Sequence, residues 1–327
     1  MNKNLIFSLI ALILASLACS MLTGTAPNPA LAASSTANTN STLPATQPIQ
    51  PTLQMENPAN HASHTQRNVT YCTVGGVDLK MDIYFPKGTT GVTPLVVYIH
   101  GGGWSSGDKS GGAGAVDAPA LLDAGFTVAS LDYRLAPQYK MPAMIEDVKC
   151  AIRSFRAHAS QYNIDPNRIG VWGGSAGGHL VSILGTSDKS AGFDVGEYLD
   201  QSSRVQAVVD MFGPADFLTF PFSGNSSEIA STVFGTTDLS NPIFAATSPV
   251  TYISADDPPF LILQGDADTT VPLSQSQEFY NKLIASGVDA QLIIVKGGTH
   301  GLSTPGESPS RSELTQKIVS FFLEKLK

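Results

Sequence analysis

Positive charge is scarce in this chain. Its 19 Lys and Arg stand against 27 Asp and Glu, a formal net charge of −8, and no basic patch gathers of the kind that phosphate contacts require. Nucleic acid is therefore not an expected partner. Cysteine is scarcer still, at three residues. No Cys/His group has zinc-like spacing and neither Cys72 nor Cys150 has the surroundings of a cysteine nucleophile, so no metal site is expected. Long apolar runs are also missing: the uncharged run at residues 5–18 is too short for a comfortable membrane span. Internal repeats are absent, which argues against a solenoid or an array.

What the first residues do contain is an export pattern. Lys3 precedes the apolar run, as in a cleavable signal. Ser16-Leu17-Ala18-Cys19 has the form of a bacterial lipoprotein processing site, which would put a lipid anchor on Cys19, the one expected route to a membrane. Ordinary cleavage, there or near Ala30-Leu31-Ala32, fits the small residues equally well. Residues 20–66 are Ser, Thr, Asn, Ala, Pro and Gln with few large apolar side chains, a composition that cannot bury a core. The expected organisation is thus an export signal at 1–19, a disordered linker at 20–66 and one catalytic domain at 67–327. Cys72 and Cys150 form an even pair in an exported domain. A disulfide is favoured, with two buried thiols as the alternative.

The chemistry-bearing motif is Gly173-Gly174-Ser175-Ala176-Gly177, a G-x-S-x-G pattern between the apolar strand candidate 168–172 and the helix candidate 176–184. Flanking glycines suit a sharp turn in which a side chain would strike the neighbouring strand or helix, and Ser175 would be held exposed on it. His100-Gly101-Gly102-Gly103-Trp104 follows another apolar run, 94–99. The N–H groups of Gly102 and Gly103, with that of Ala176, are placed to receive a developing oxyanion.

A serine hydroxyl needs a base, and the base a carboxylate to orient it. Of six histidines, His61 and His64 lie in a polar stretch, His100 in the glycine loop and His158 in a charged helix pattern. His179 is tied to the helix leaving Ser175 and reads as packed. His300 remains, on a loop after the strand candidate 290–295. Asp266 and Asp268 follow the strand candidate 260–263, and both satisfy the chain order Ser, acid, His of α/β-hydrolases. The form G-x-x-D-x-x-V-P at residues 265–272 resembles the acid loop of that superfamily, which favours Asp268 and leaves Asp266 to brace the turn.

Strand candidates at 69–74, 79–85, 95–99, 127–132, 168–172, 205–211, 260–263 and 291–295 alternate, after a first hairpin, with helix candidates at 115–124, 144–160, 176–184, 274–286 and 312–326. This predicts an α/β protein with a mostly parallel, eight-stranded, doubly wound sheet and helices on both faces. Residues 217–250 read as a small lid insertion near the site. Its Phe217, Phe220, Phe222 and Phe234 are candidates for the pocket or for the insertion's own core, and Trp104 is a stronger candidate for pocket wall.

These motifs together, His100 to Lys109, Asp132-Tyr133-Arg134-Leu135-Ala136-Pro137 and Gly173 to Gly178, resemble the hormone-sensitive-lipase-like carboxylesterases, nearest their bacterial feruloyl-esterase-like branch. The resemblance runs from about Asn68 to the C-terminus. It implies an α/β-hydrolase fold and hydrolysis of short-chain or hydroxycinnamoyl esters, acetyl and feruloyl among them, through an acyl-enzyme and with no cofactor. It makes Ser175 the nucleophile, His300 the base, Asp268 the acid, and Gly102, Gly103 and Ala176 the oxyanion donors. Asp132 and Arg134 are then a charged pair bracing a strand end. The larger group carries an N-terminal helical cap where this chain has strand-like sequence, so an open site is expected. Two other readings compete: a serine peptidase of the prolyl-oligopeptidase type, whose propeller has no counterpart in this length, and a lipid-tethered binding module on a hydrolase scaffold, which would be expected to have lost a member of the triad.

Overall fold

A computed structural model of the chain describes residues 57–111, 115–222 and 227–326. The export signal, Cys19 and the linker up to residue 56 lie outside the described residues.

Eight strands form one sheet, in the order β1-β2-β4-β3-β5-β6-β7-β8. β1 (Ala62–Val74) and β2 (Val77–Pro86) make the opening hairpin, turning at Gly75 and Gly76. Both turn residues have positive φ, 56° and 82°, where a Cβ is costly. β2 pairs antiparallel with β4 (Thr127–Leu131). From β4 onward through β3 (Thr93–Ile99), β5 (Ile164–Gly174), β6 (Ala207–Met211), β7 (Phe260–Gly265) and β8 (Ala290–Val295) every pairing is parallel. The central strands are covered on both faces, which is why they read as unbroken apolar runs: Leu95 to Ile99 are all buried.

The helices divide between the faces. α2 (Ala143–Ala157), α3 (Ala176–Thr186) and α6 (Leu273–Ala285) pack into one core cluster through residues such as Ile152, Phe155, Leu180 and Phe279. α1 (Ala118–Asp123) and α7 (Arg311–Lys325) pack into the other through Leu121, Leu122, Leu314, Ile318 and Phe322. Ser310 caps α7 with a reciprocal Glu313 bond, a capping box that fixes where the last helix starts. Two short helices, α4 (Ser227–Ile229) and α5 (Pro242–Ala246), belong to the insertion between β6 and β7. Among the described residues no helix is long and apolar enough to cross a membrane.

Three expectations need correction or completion. β1 begins at Ala62, so the folded domain starts ahead of residue 67. Residues 62–66 are mostly exposed or half-buried and gain their order from pairing with Ile83 to Pro86, not from an apolar pattern. Asp132 and Arg134 do not pair with each other. Asp132 receives the Lys109 N–H at 2.7 Å and its ammonium at 3.3 Å, while Arg134 turns to buried Asp147 (2.7 Å) and to Glu146 (3.1 Å). Cys72 and Cys150 are bonded, with Cα atoms 6.4 Å apart. The bridge ties β1 to α2.

Candidate active site

Ser175 sits between β5 and α3 with φ 59° and ψ −122°, a strained left-handed conformation for a residue with a side chain. Its own N–H donates to Met211 O at 2.9 Å, and its carbonyl accepts the first helical bond, from His179 N at 3.0 Å. The glycine after it is required by space: a Cβ on Gly177 would lie 2.1 Å from Ile99 O. The start of α3 can therefore lie against the end of β3 only with glycine there.

The loops after β7 and β8 bring two more side chains to this point. His300 Nε2 lies 2.9 Å from Ser175 Oγ, and His300 Nδ1 lies 2.8 Å from Asp268 Oδ2. Asp268 is buried and collects further donors: the amides of Thr270 (2.8 Å) and Val271 (3.0 Å) on Oδ1, and Gln264 Nε2 (3.1 Å) on Oδ2. Burial pushes its pKa up, but the bond to His300, that ring's charge and the two amides outweigh it and hold the carboxyl below its ordinary value. An ionised Asp268 fixes the Nδ1–H tautomer, leaving Nε2 free to accept from the serine. Phe212 packs its ring edge against His300 at 4.8 Å between centroids.

Asp266 takes the other part foreseen for it, by a longer route. Its Oδ1 accepts from Gly297 N at 2.7 Å, so it clips the acid loop to the histidine loop across 31 residues of sequence and does not simply close its own turn.

The glycine loop reaches the same place. Gly102 has φ +110° and a Cβ there would lie 2.2 Å from Ser106 O, so the loop can fold back on itself only without one. Among the described residues, no acceptor is bonded to the N–H of Gly102, Gly103 or Ala176. That arrangement can receive an anionic oxygen. His100 buries its ring against Tyr133 at 4.2 Å and donates from Nδ1 to Gly101 O at 2.7 Å, which holds the start of the loop.

Ser175 and His300 open into a cavity of about 700 Å³. Its lining includes the loop residues Gly101, Gly102, Gly103 and Trp104, the polar Ser106, Asp108 and Ser110, and the apolar Phe212, Pro214, Phe220, Ile229 and Val271. Trp104 is thus a wall residue. Of the insertion's five phenylalanines only Phe220 lines the cavity. Phe217, Phe222 and Phe234 instead build an aromatic cluster with Phe244 behind it. Sequence reasoning missed Phe212, Ile229 and Gln264. The last had a signal: a polar side chain in an otherwise apolar buried strand needs partners, and Gln264 finds them in Asp268, Val271 O and Ser276.

His179 is packed, as its place on α3 suggests. It is fully buried, with Nδ1 3.2 Å from Trp104 Nε1 and Nε2 2.7 Å from Thr247 O. Burial drives its pKa down to about 4, so the ring is neutral at neutral pH. Among the described residues no cluster of three or more His, Cys, Asp and Glu side chains is placed to hold a metal ion.

Comparison with known proteins agrees with this geometry. A truncated carbohydrate esterase from gut microbiota superposes with a TM-score of 0.70 at 32% identity, covering 81% of this chain and 97% of the other. The propionate-bound esterase Est2 of Thermogutta terrifontis gives 0.66 at 26% identity, over 78% of this chain and 93% of that one. Among curated sequences, the probable carboxylic ester hydrolase LipM of Mycobacterium tuberculosis is 34% identical over 198 residues, 59% of this chain and 46% of LipM. Esterase LipC of the same organism is 29% identical over 238 residues, 71% of this chain and 58% of LipC. The chain spans about half the length of the curated relatives it matches. The BD-FAE family profile matches residues 81–283, from β2 through Ser175 and Asp268 into α6, and with this sheet order and this elbow the chain belongs to the BD-FAE family and has the α/β-hydrolase fold.

Proposed function

We propose that the protein is an exported serine carboxylesterase acting on short-chain or hydroxycinnamoyl esters through an acyl-enzyme. The observation that carries the reading is the unbroken chain of bonds from Ser175 Oγ through His300 to Asp268, opening into a cavity beside the glycine loop. In this reading Ser175 Oγ attacks the ester carbonyl while His300 Nε2 takes its proton, and Asp268 stabilises the resulting imidazolium. The carbonyl oxygen, now negative, is received by the N–H groups of Gly102, Gly103 and Ala176. Collapse breaks the bond to the alcohol, which leaves with the proton from His300. Water then attacks the acyl-enzyme with His300 again as base, and Ser175 is released.

The cavity's apolar lining residues suit an acyl group, and its polar Ser106, Asp108 and Ser110 suit a hydroxylated alcohol. The propionate-bound and butyrate-bound structures of the Thermogutta esterase support short acyl groups, and the carbohydrate esterase among the similar structures supports a sugar as the alcohol. The Cys72–Cys150 bridge and the apolar run at residues 5–18 support export.

The test is hydrolysis of p-nitrophenyl esters of increasing chain length and of methyl ferulate by the full chain, beside Ser175→Ala. We expect a burst of one p-nitrophenol per site and a loss of kcat of at least about 10⁴-fold in the variant. The esters left intact by the native protein, or hydrolysed equally by Ser175→Ala, would overturn the proposal.

A further inference from the structure

We propose that His179 is a positioning residue, a buried latch that ties the glycine loop and the insertion to the helix carrying the nucleophile and thereby sets the wall of the acyl pocket. The proposal rests on the esterase reading of the site. His179 lies in the first turn of α3, and its N–H donates to Ser175 O at 3.0 Å. Its two ring nitrogens reach two different elements: Trp104 in the glycine loop at 3.2 Å, and the carbonyl of Thr247, at the end of α5 in the insertion, at 2.7 Å.

The partners dictate the state of the ring. An indole N–H only donates and a carbonyl only accepts. Nε2 must therefore carry the proton and Nδ1 the lone pair. No other arrangement satisfies both bonds, and a side chain without both a donor and an acceptor leaves Trp104 or Thr247 unpaired in a buried place.

Trp104 is where this matters for substrate. It has φ 57°, is 4% exposed, and follows directly on Gly102 and Gly103. It is among the residues lining the cavity at Ser175, and its indole packs edge-on against Phe217 at 5.7 Å and Phe234 at 6.3 Å. The aromatic cluster limits how far the indole can move but has no polar group to fix its rotation. The bond to His179 supplies that restraint, and the same ring stacks obliquely on Phe217 at 4.9 Å.

The chain has two tryptophans, so ¹⁵N-tryptophan labelling of the full protein gives two indole N–H signals, and Trp104→Phe assigns them. In His179→Phe, which keeps the bulk and loses both bonds, the Trp104 signal should move upfield and exchange with solvent about tenfold faster. The ratio of kcat/KM for p-nitrophenyl butyrate over acetate should fall about tenfold, the acetate kcat changing less, because a displaced wall is felt by the longer acyl chain. His179→Gln can reach both partners and should restore most of the ratio. If His179→Phe does not fold, Trp104→Phe, which loses the indole N–H together with part of the ring, should move the selectivity in the same direction. A Trp104 signal unmoved in His179→Phe, or a native butyrate-to-acetate ratio in folded His179→Phe or Trp104→Phe, overturns the latch. Hydrolysis that survives Ser175→Ala would instead sink the esterase reading, while the indole signal still decides whether the bond to His179 holds Trp104.

Discussion

Two buried aspartates stand at the ends of neighbouring strands, Asp210 in β6 and Asp268 just past β7. Both are bonded to backbone amides and both are shielded from water, yet their electrostatics are opposite. Asp210 accepts from Ser182 Oγ and Gly213 N, each at 2.9 Å, and among the described residues faces no cation; burial pushes its carboxyl up to about 7. Asp268 has more donors and a histidine ring as well, and is held below the ordinary carboxylate value. At Asp210 burial outweighs two donors, whereas at Asp268 further donors and an imidazole outweigh burial. The loop after β7 is therefore built to do chemistry, and the end of β6 is built to hold α3 in place.

Replacing each carboxyl by its amide is the sharpest way to break that contrast. Asp268→Asn should keep the fold but present the wrong hydrogen-bonding group to His300 Nδ1, lowering kcat by about 10⁴-fold in steady-state ester hydrolysis. A loss of only a few-fold would mean that Asp266 or another group orients His300, and the contrast would lose its functional meaning. A smaller effect is expected at Gln264, whose amide donates to Asp268 and Val271 O while its oxygen accepts from Ser276. Gln264→Leu leaves those partners unsatisfied in a buried place, and kcat/KM should fall about tenfold as Asp268 loses a fixed donor. Unchanged kinetics in folded protein would show that the two loop amides and His300 suffice to place the acid.

The contrast also separates what was readable in the sequence from what was not. Strands β2 to β8 were legible because both faces of the sheet are covered and each central strand is an apolar run. The start of β1 was not, since its order comes from backbone pairing along an exposed edge. Ser175, His300 and Asp268 were legible because strained turns and loop ends carry distinctive glycine and proline spacing. The partners of Arg134 were not: Asp132 is two residues away in sequence, but its carboxylate is taken by Lys109, and Arg134 is paired with acids of α2 that only the fold brings to it. Among the aromatics of the insertion, composition could not say that Phe220 faces the cavity while Phe217, Phe222 and Phe234 face each other. Nor could it say that Asp266 reaches Gly297, a contact that depends on how two loops end side by side.

Asp210→Asn should show the smallest effect on rate, within about threefold in assays below pH 7, because there a carboxyl that keeps its proton is being replaced by a neutral group of the same shape. Its signature lies in stability against pH. A carboxyl raised to about 7 in the folded chain binds its proton more tightly there than when unfolded, where its value is ordinary. The folded state then holds more protons between roughly pH 4 and 7, and its stability falls as pH rises across that window. Asp210 thus contributes stability that is fully present in acid and lost as pH climbs through 7. Asparagine has no proton to lose, so the thermal midpoint of Asp210→Asn should gain on that of the native protein by a few degrees between pH 5 and pH 8. Parallel midpoint curves would mean that Asp210 is as ionised in the fold as Asp268, and that the amide of Gly213 and the hydroxyl of Ser182 offset its burial without any cation.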